Sequence, residues 1–309
     1  MLDRIVFLAA WGAGLGLCLV TGAIVVYMAV RGFQYLRPVL LVTRPQEGAN
    51  QEGPGGFLDP LVGTAVLSAI GLAIALPLGV CSAAWIVEYG QGGRARQSLA
   101  RMVESAIEIL AGTPDIVIAI FGLTIFELSF LGPLSSKSPS GVVIGRSFIA
   151  AGAMMSLIAL PPLFAATRDG LQTVPGHIRE AAFALGKTRI ATIRRVLLPG
   201  VRSNIATGVT LGVSRIVGDT AIVLLLLAET SRNEPASSVP LLGFLRGTGS
   251  TLTSFVYEDS PAGEGRSAGK AYAAAFVLLL FVLALNWVVG RIASARARSS
   301  GFEARGGRL

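Results

Sequence analysis

The chain has 309 residues, 52% of them hydrophobic and only 14% charged, with a mean hydropathy of +0.67; soluble domains carry about 25% charged residues, so a soluble protein is excluded. Lys and Arg number 26 against 18 Asp and Glu, a net charge of +8, and in a membrane chain that excess reports orientation rather than nucleic-acid binding. Two cysteines, Cys18 and Cys81, both within apolar stretches, and a single histidine, His177, exclude a disulfide framework and a Cys- or His-rich metal site.

Six apolar blocks follow in chain order: Ile5–Val30, Pro60–Val87, Ile109–Phe130, Val142–Ala166, Ile205–Ala228 and Ala271–Ile292. Each is long enough to cross about 30 Å of hydrocarbon, for which roughly 20 helical residues suffice. Backbone groups in lipid must be satisfied within their own segment, so the blocks predict helices rather than barrel strands. The expected architecture is an all-α integral membrane protein with six transmembrane helices. The first block is too long for a signal-peptide core of about 7–15 residues and is expected to stay.

Between the blocks, Arg31–Asp59, with Gly and Pro clustered over Gly48–Pro60, and Thr230–Lys270, containing Pro261–Arg266, read as external surface loops. Glu88–Arg101 reads as a short basic loop, and Thr167–Asn204 is the longest cytoplasmic segment. The resulting division is a first helix and connector over 1–57, an apolar membrane body over 58–292 and a basic tail over 293–309, small-residue-rich and expected to be disordered. With the N-terminus inside, the basic residues of Arg94–Arg101, of Arg168–Arg202 and of the tail all fall in the cytoplasm, so both termini are expected there. No internal repeat suggests an inverted-repeat carrier.

The segment Ile178–Leu198 is the most informative. Ile178–Leu185 is built mostly of good helix formers, with Ala181–Ala182 giving a small surface for close approach. Gly186 is placed to end that helix in the left-handed conformation. A second periodic run has Ile190, Ile193, Val196 and Leu197 on one face and Arg189, Arg194 and Arg195 among the rest, ending at Pro199–Gly200. Periodicity alone fits a basic amphipathic hairpin lying on anionic lipid equally well. Gly186-Lys187-Thr188 imitates the end of a phosphate-binding loop, but the first glycine of that motif would fall on Ala181 and no strand precedes it, so nucleotide binding by this chain is rejected.

Two polar interruptions lie inside apolar blocks. Arg215 and Asp219, four residues apart, share a helix face, and charges at mid-membrane cost about 2.5–3.5 kcal/mol each, so they must face protein or water. Their pairing reads either as a structural ion pair or as a positive centre on a path for anions, with Asp219 holding the guanidinium or keeping it paired when no anion is present; an Arg fork suits oxyanions. Thr113-Pro114-Asp115 has the form of a helix start, with Thr as N-cap and Pro as first residue. It predicts either a kink or a helix beginning part-way across the bilayer with its N–H groups available to an anion.

Glu180-Ala181-Ala182, three residues, Gly186, nine residues and then Val196-Leu197-Leu198-Pro199 resembles the EAA loop of bacterial ABC importer permeases, with Val where Ile is usual. Ile86–Gly90, Ala111–Val117 and Arg215–Ala221 extend the likeness over Leu58–Arg291 to the PstA-type permeases of the phosphate-specific ABC importers. Two departures stand out: Asp219 where that family usually has Glu, and Asp115 where it usually has Ser. The resemblance implies a MetI-like ABC importer permease fold, non-catalytic, with a coupling loop at 173–200. In it Arg179, Glu180, Ala181, Ala182, Gly186 and Pro199 meet the ATPase, and Arg215, Asp219, Thr220, Thr113 and Asp115 line the substrate path. It also implies a PstC-type permease, a PstB-type ATPase dimer carrying ATP and Mg, and a phosphate-binding protein as partners, with no cofactor on this chain and a place in the bacterial plasma membrane. A permease for sulfate, molybdate or phosphonate, the PstC-type partner itself, and a secondary anion transporter or channel remain the alternatives. A membrane enzyme is the most distant reading.

Overall fold

The structure is a computed structural model that describes residues 2–44, 55–90, 92–137, 141–227, 243, 245–260 and 268–300. Most of the Gly/Pro-rich part of the first connector, much of the second external loop including Pro261–Arg266, and the end of the tail lie outside the described residues.

The described chain is helical apart from turns and one isolated bridge between Lys137 and Val143. Its helices are α1 (Leu2–Tyr35), α2 (Pro38–Val42), α3 (Leu58–Tyr89), α4 (Arg94–Gly112), α5 (Asp115–Phe126), α6 (Phe148–Thr173), α7 (Gly176–Ala184), α8 (Arg189–Thr192), α9 (Leu198–Gly200), α10 (Arg202–Gly218), α11 (Ala221–Leu226), α12 (Leu252–Asp259) and α13 (Ala268–Ser300). A π-helical turn, Ile193–Leu197, joins α8 to α9.

Among the described residues four helices are long and apolar enough to cross a membrane: Asp3–Tyr35, Leu58–Tyr89, Phe148–Thr173 and Ala268–Ile292. The pair α4–α5 makes a fifth if counted as one span, but it bends by 108°. Not every apolar block forms one continuous helix: among the described residues the third and fifth are both broken. Pro114 supplies the first break: it has no N–H to donate and pushes Thr113 into the extended region. The second falls at Asp219–Thr220, between α10 and α11, where the Asp219 carboxylate takes the Ile222 N–H and starts a new helix. Two further expectations are revised. The basic loop Glu88–Arg101 is mostly the first turns of the amphipathic α4, and the tail begins as helix, since α13 runs past Ile292 to Ser300.

The chain divides into two units. One comprises residues 1–61 and 252–280, where Leu40, Phe57, Leu252, Ala273, Ala274 and Val277 form a small core. In it Gly32 lets α1 approach Phe276 of α13, and Tyr27 meets Tyr272 edge-on. From Asp3 to Val26 almost every residue of α1 is exposed.

The other unit comprises residues 62–251 and 281–309. Its centre is α6, whose Met155, Ile158, Ala159 and Leu163 are buried. Helix α10 crosses α6 closely because Gly208 and Gly212 face it: a Cβ on Gly208 would lie 2.9 Å from the Leu163 Cα, and one on Gly212 3.3 Å from the Ala159 carbonyl oxygen. The short helices α5 and α11 pack on each other and on α6 through Ile118, Ala119, Phe126, Ile222 and Leu226. Helix α4 joins through Ala100 and Ile107, which pack with Ala83, Ile86 and Phe164, while Glu104 pairs with Arg168 at 3.4 Å.

Candidate functional site

The two helix breaks meet. Arg215, on the last turn of α10, donates from Nη2 to Asp115 Oδ1 at 3.2 Å, across a sequence separation of 100 residues. The expected pairing of Arg215 with Asp219 is not the one formed. Asp219 is buried, at 8% exposure, and its Oδ2 accepts from the Ile222 N–H at 2.8 Å. The reason is local: Asp219 leaves the helix with an extended backbone (φ −77°, ψ 137°), so four-residue spacing no longer puts it on the Arg215 face. Thr220 continues the break in a helical conformation as the residue before α11.

The other break also differs from the expected helix start. Thr113 ends α4 and donates its hydroxyl back to the Ile109 carbonyl at 2.7 Å, which leaves Pro114 as the residue before α5 and Asp115 as its first. Helix α5 does begin at an interruption within an apolar block, as one of the two sequence readings had it. A carboxylate at its first turn is favourable against the helix dipole.

Helix α10 is two-sided. Gly208, Val209, Gly212, Val213, Ile216 and Val217 are buried. The opposite face, exposed on this chain, carries Ser203, Thr207, Leu211, Arg215 and Gly218 at helical spacing, with Ser214 half-buried beside them. Sequence reading singled out Arg215 but missed this stripe, although Ser203, Thr207 and Arg215 at intervals of four or eight were its signal. Facing lipid, such a stripe would be unfavourable, so it suits water or another protein.

The hairpin Gly176–Gly200 forms the second constellation. Helix α7 ends as expected at Gly186, whose φ of 73° is the left-handed conformation, and the Gly186 and Lys187 N–H groups return to the Phe183 and Ala182 carbonyls. The second run ends at Pro199–Gly200, as expected, but not as one continuous α-helix. Because Pro199 cannot donate, the helix loosens into the π turn just before it, with the Leu198 N–H reaching Ile193, and then continues to Gly200. Ile193, Leu197 and Val201 pack with Ala84, Val87 and Leu171, whereas Ile190, from the same predicted face, is exposed. Pro199 lines a largely apolar cavity of about 630 Å³ with Leu72, Leu76, Arg194 and Ile205, and Arg215 is not among its lining residues.

Arg179 faces inward. Its Nε donates to Glu88 Oε1 at 2.9 Å, Nη1 to the Val174 carbonyl at 2.6 Å and Nη2 to the Leu171 carbonyl at 2.8 Å. The guanidinium thus caps the end of α6 and ties α7 to the end of α3. Arg189 adds a bond to the Glu88 carbonyl at 3.3 Å and lies over the Tyr89 ring. Glu88 was not singled out as a functional partner, although it lies in Ile86–Gly90, one of the stretches that carry the family resemblance. Ala182 is buried, while Glu180, Ala181, Phe183, Leu185 and Gly186 are exposed on the outer side of the hairpin. Of the residues expected to meet another subunit, Glu180, Ala181, Gly186 and Pro199 are exposed, whereas Arg179 is turned inward and Ala182 is buried.

The chain is 31% identical to the phosphate transport system permease protein PstA of Mycobacterium leprae, covering 74% of this chain and 73% of that protein. It is 30% identical to the phosphate transport system permease protein PstC of Xylella fastidiosa, covering 75% and 70%. The same fold occurs in a bacterial ABC transporter involved in the import of the acidic polysaccharide alginate (TM-score 0.59, 15% identity, 92% of this chain and 96% of that one). It occurs also in the inward-facing MetNI methionine ABC transporter (TM-score 0.52, 20% identity, 78% and 94%). Residues 75–298 match the family described as binding-protein-dependent transport system inner membrane component, and the chain, all-helical in its described residues, belongs to that family of multi-pass membrane permease subunits.

Proposed function

We propose that this chain is the PstA-type permease subunit of an ATP-driven importer of inorganic phosphate. The observation that carries the reading is Arg215, a guanidinium on the exposed polar face of α10 at the meeting point of two broken helices. Phosphate is a multiply charged oxyanion, and burying it without partners is prohibitive; a forked donor supplies two parallel charge-assisted bonds. The phosphate transport permeases among the relatives support that choice of anion. Arg215, Thr113, Asp115, Asp219 and Thr220 form the polar centre of the path, with Asp219 acting through the backbone of α11 rather than as a partner of Arg215. Because PstC proteins match about as well as PstA proteins, the PstC-type partner is the second reading.

Half of a path implies a second permease, and the hairpin implies a motor. In this reading a PstC-type subunit completes the path, a periplasmic or lipid-anchored phosphate-binding protein delivers phosphate from outside, and a PstB-type ATPase dimer holds ATP and Mg. Glu180, Ala181 and the exposed Phe183 and Leu185 dock on that ATPase. Arg179 and Glu88 pass its movement to the ends of α6 and α3, and Gly186 and Pro199 shape the hairpin. Both termini then lie in the cytoplasm with the hairpin. The test is uptake of radiolabelled phosphate by vesicles containing the reconstituted complex and binding protein, with and without ATP and with sulfate as competitor. ATP-dependent uptake that sulfate does not suppress is expected. Uptake without ATP would make the protein a channel or secondary carrier, and ATPase activity without phosphate uptake would turn the search to other oxyanions.

A further inference from the structure

We propose that Asp115 is a built-in counter-anion of the path: its carboxylate occupies Arg215 when the permease is empty and is displaced by the transported oxyanion, so that it sets how tightly and how selectively the path takes anions. The inference rests on the reading that Arg215 lies on the path.

Two carboxylates lie at this centre, and the structure separates their roles. Asp219 is buried and bound to the Ile222 N–H, where it holds the start of α11. Leaving that position would cost the helix its cap. Asp115 is held differently: its side chain lies against that of Asp219 and meets Arg215. Its side chain is 32% exposed, against 39% for Arg215, and the contact is a single bond from one guanidinium nitrogen at 3.2 Å rather than a two-point fork.

Three consequences follow from that geometry. First, a partly exposed, single-point ion pair is weak, so an incoming oxyanion that offers two parallel acceptors replaces one bond with two. Second, the displaced carboxylate is not stranded, because Asp115 opens the twelve-residue α5 and keeps the favourable field of its N-terminus. Third, an anion offering one diffuse acceptor, such as chloride, gains no second bond and competes poorly with a tethered carboxylate. Asp115 therefore acts as a filter as well as a placeholder. It also joins the α4–α5 break to the end of α10, so arrival of the anion releases one broken helix from the other.

The test uses the purified permease–ATPase complex without its binding protein, so that the binding protein's own affinity does not mask the path. Binding of radiolabelled inorganic phosphate is measured by equilibrium dialysis at several chloride concentrations. Asp115→Asn is expected to bind phosphate at least about threefold more tightly than wild type, the scale of a partly exposed ion pair, and to become more sensitive to chloride. Asp115→Glu should stay close to wild type in both respects. Arg215→Gln should lose phosphate binding. If Arg215→Gln binds as wild type does, the reading of Arg215 itself falls. If Arg215→Gln loses binding while Asp115→Asn binds no more tightly and responds to chloride as wild type does, the counter-anion role alone is overturned. Should Asp115→Asn fail to assemble, Asp115→Ser removes the same charge, and the same two outcomes decide.

Discussion

Replacing Arg179 by Ala should detach the hairpin from the membrane domain without unfolding that domain. The substitution removes three hydrogen bonds, to Glu88 and to the Val174 and Leu171 carbonyls, and strands a carboxylate whose side chain is 9% exposed. Removing one member of a buried ion pair costs about 3–5 kcal/mol. Arg179 itself is 21% exposed, so water can reach part of the site and the lower end of that range, about 3 kcal/mol, applies. At about 1.4 kcal/mol per factor of ten, local opening of α7 becomes more frequent on the order of 100-fold. Hydrogen exchange of the α7 amides, in the assembled complex in nanodiscs, reads that change directly. Exchange within the α6 core should stay unaltered. Arg179→Lys, which keeps the charge but loses the fork, should fall between, and Glu88→Gln should add little to Arg179→Ala because the two residues act as one unit. If α7 in Arg179→Ala exchanges within about threefold of wild type, the anchor argument is wrong.

Four other outcomes follow from single features. Gly186→Ala forces a side chain into the left-handed conformation at φ 73° and should cost about 1–2 kcal/mol; Gly186→Asn should cost less, with α7 exchange again the measure. Glu180→Lys, on the exposed side of the hairpin, should leave that exchange unchanged but uncouple ATP hydrolysis from uptake. Normal ATP-driven uptake would remove Glu180 from the docking surface. Gly208→Leu places side-chain atoms beyond a Cβ that already lies 2.9 Å from the Leu163 Cα; overpacking of this kind costs about 1–3 kcal/mol, to be seen as a lowered Tm in detergent, with Gly208→Ala milder. Asp219→Ala should free the Ile222 N–H and cost about 1 kcal/mol at the start of α11, whereas Asp219→Asn keeps an acceptor and should preserve Ile222 exchange protection.

The sequence by itself determined the membrane class, the helical architecture, the break near Thr113–Pro114 and the helix end at Gly186, because each depends on chemistry local in the chain. Lipid leaves no alternative to internal backbone pairing, proline lacks a donor, and glycine alone adopts φ 73° without strain. The spacing of Glu180, Ala181, Ala182 and Gly186 marked the hairpin for the same reason.

What the tertiary structure decided were the long-range partners. Four-residue spacing paired Arg215 with Asp219 only on the assumption of an unbroken helix. Once Asp219 turns to the Ile222 N–H, the guanidinium is left for Asp115, a hundred residues earlier. Likewise the family resemblance put Arg179 against the ATPase, and its inward place became visible only when the ends of α3 and α6 brought Glu88, Leu171 and Val174 around it. Local periodicity reports which face a residue occupies; it carries no information about which distant charge that face will meet, and in this protein those meetings join the two helix breaks and anchor the hairpin to the ends of α3 and α6.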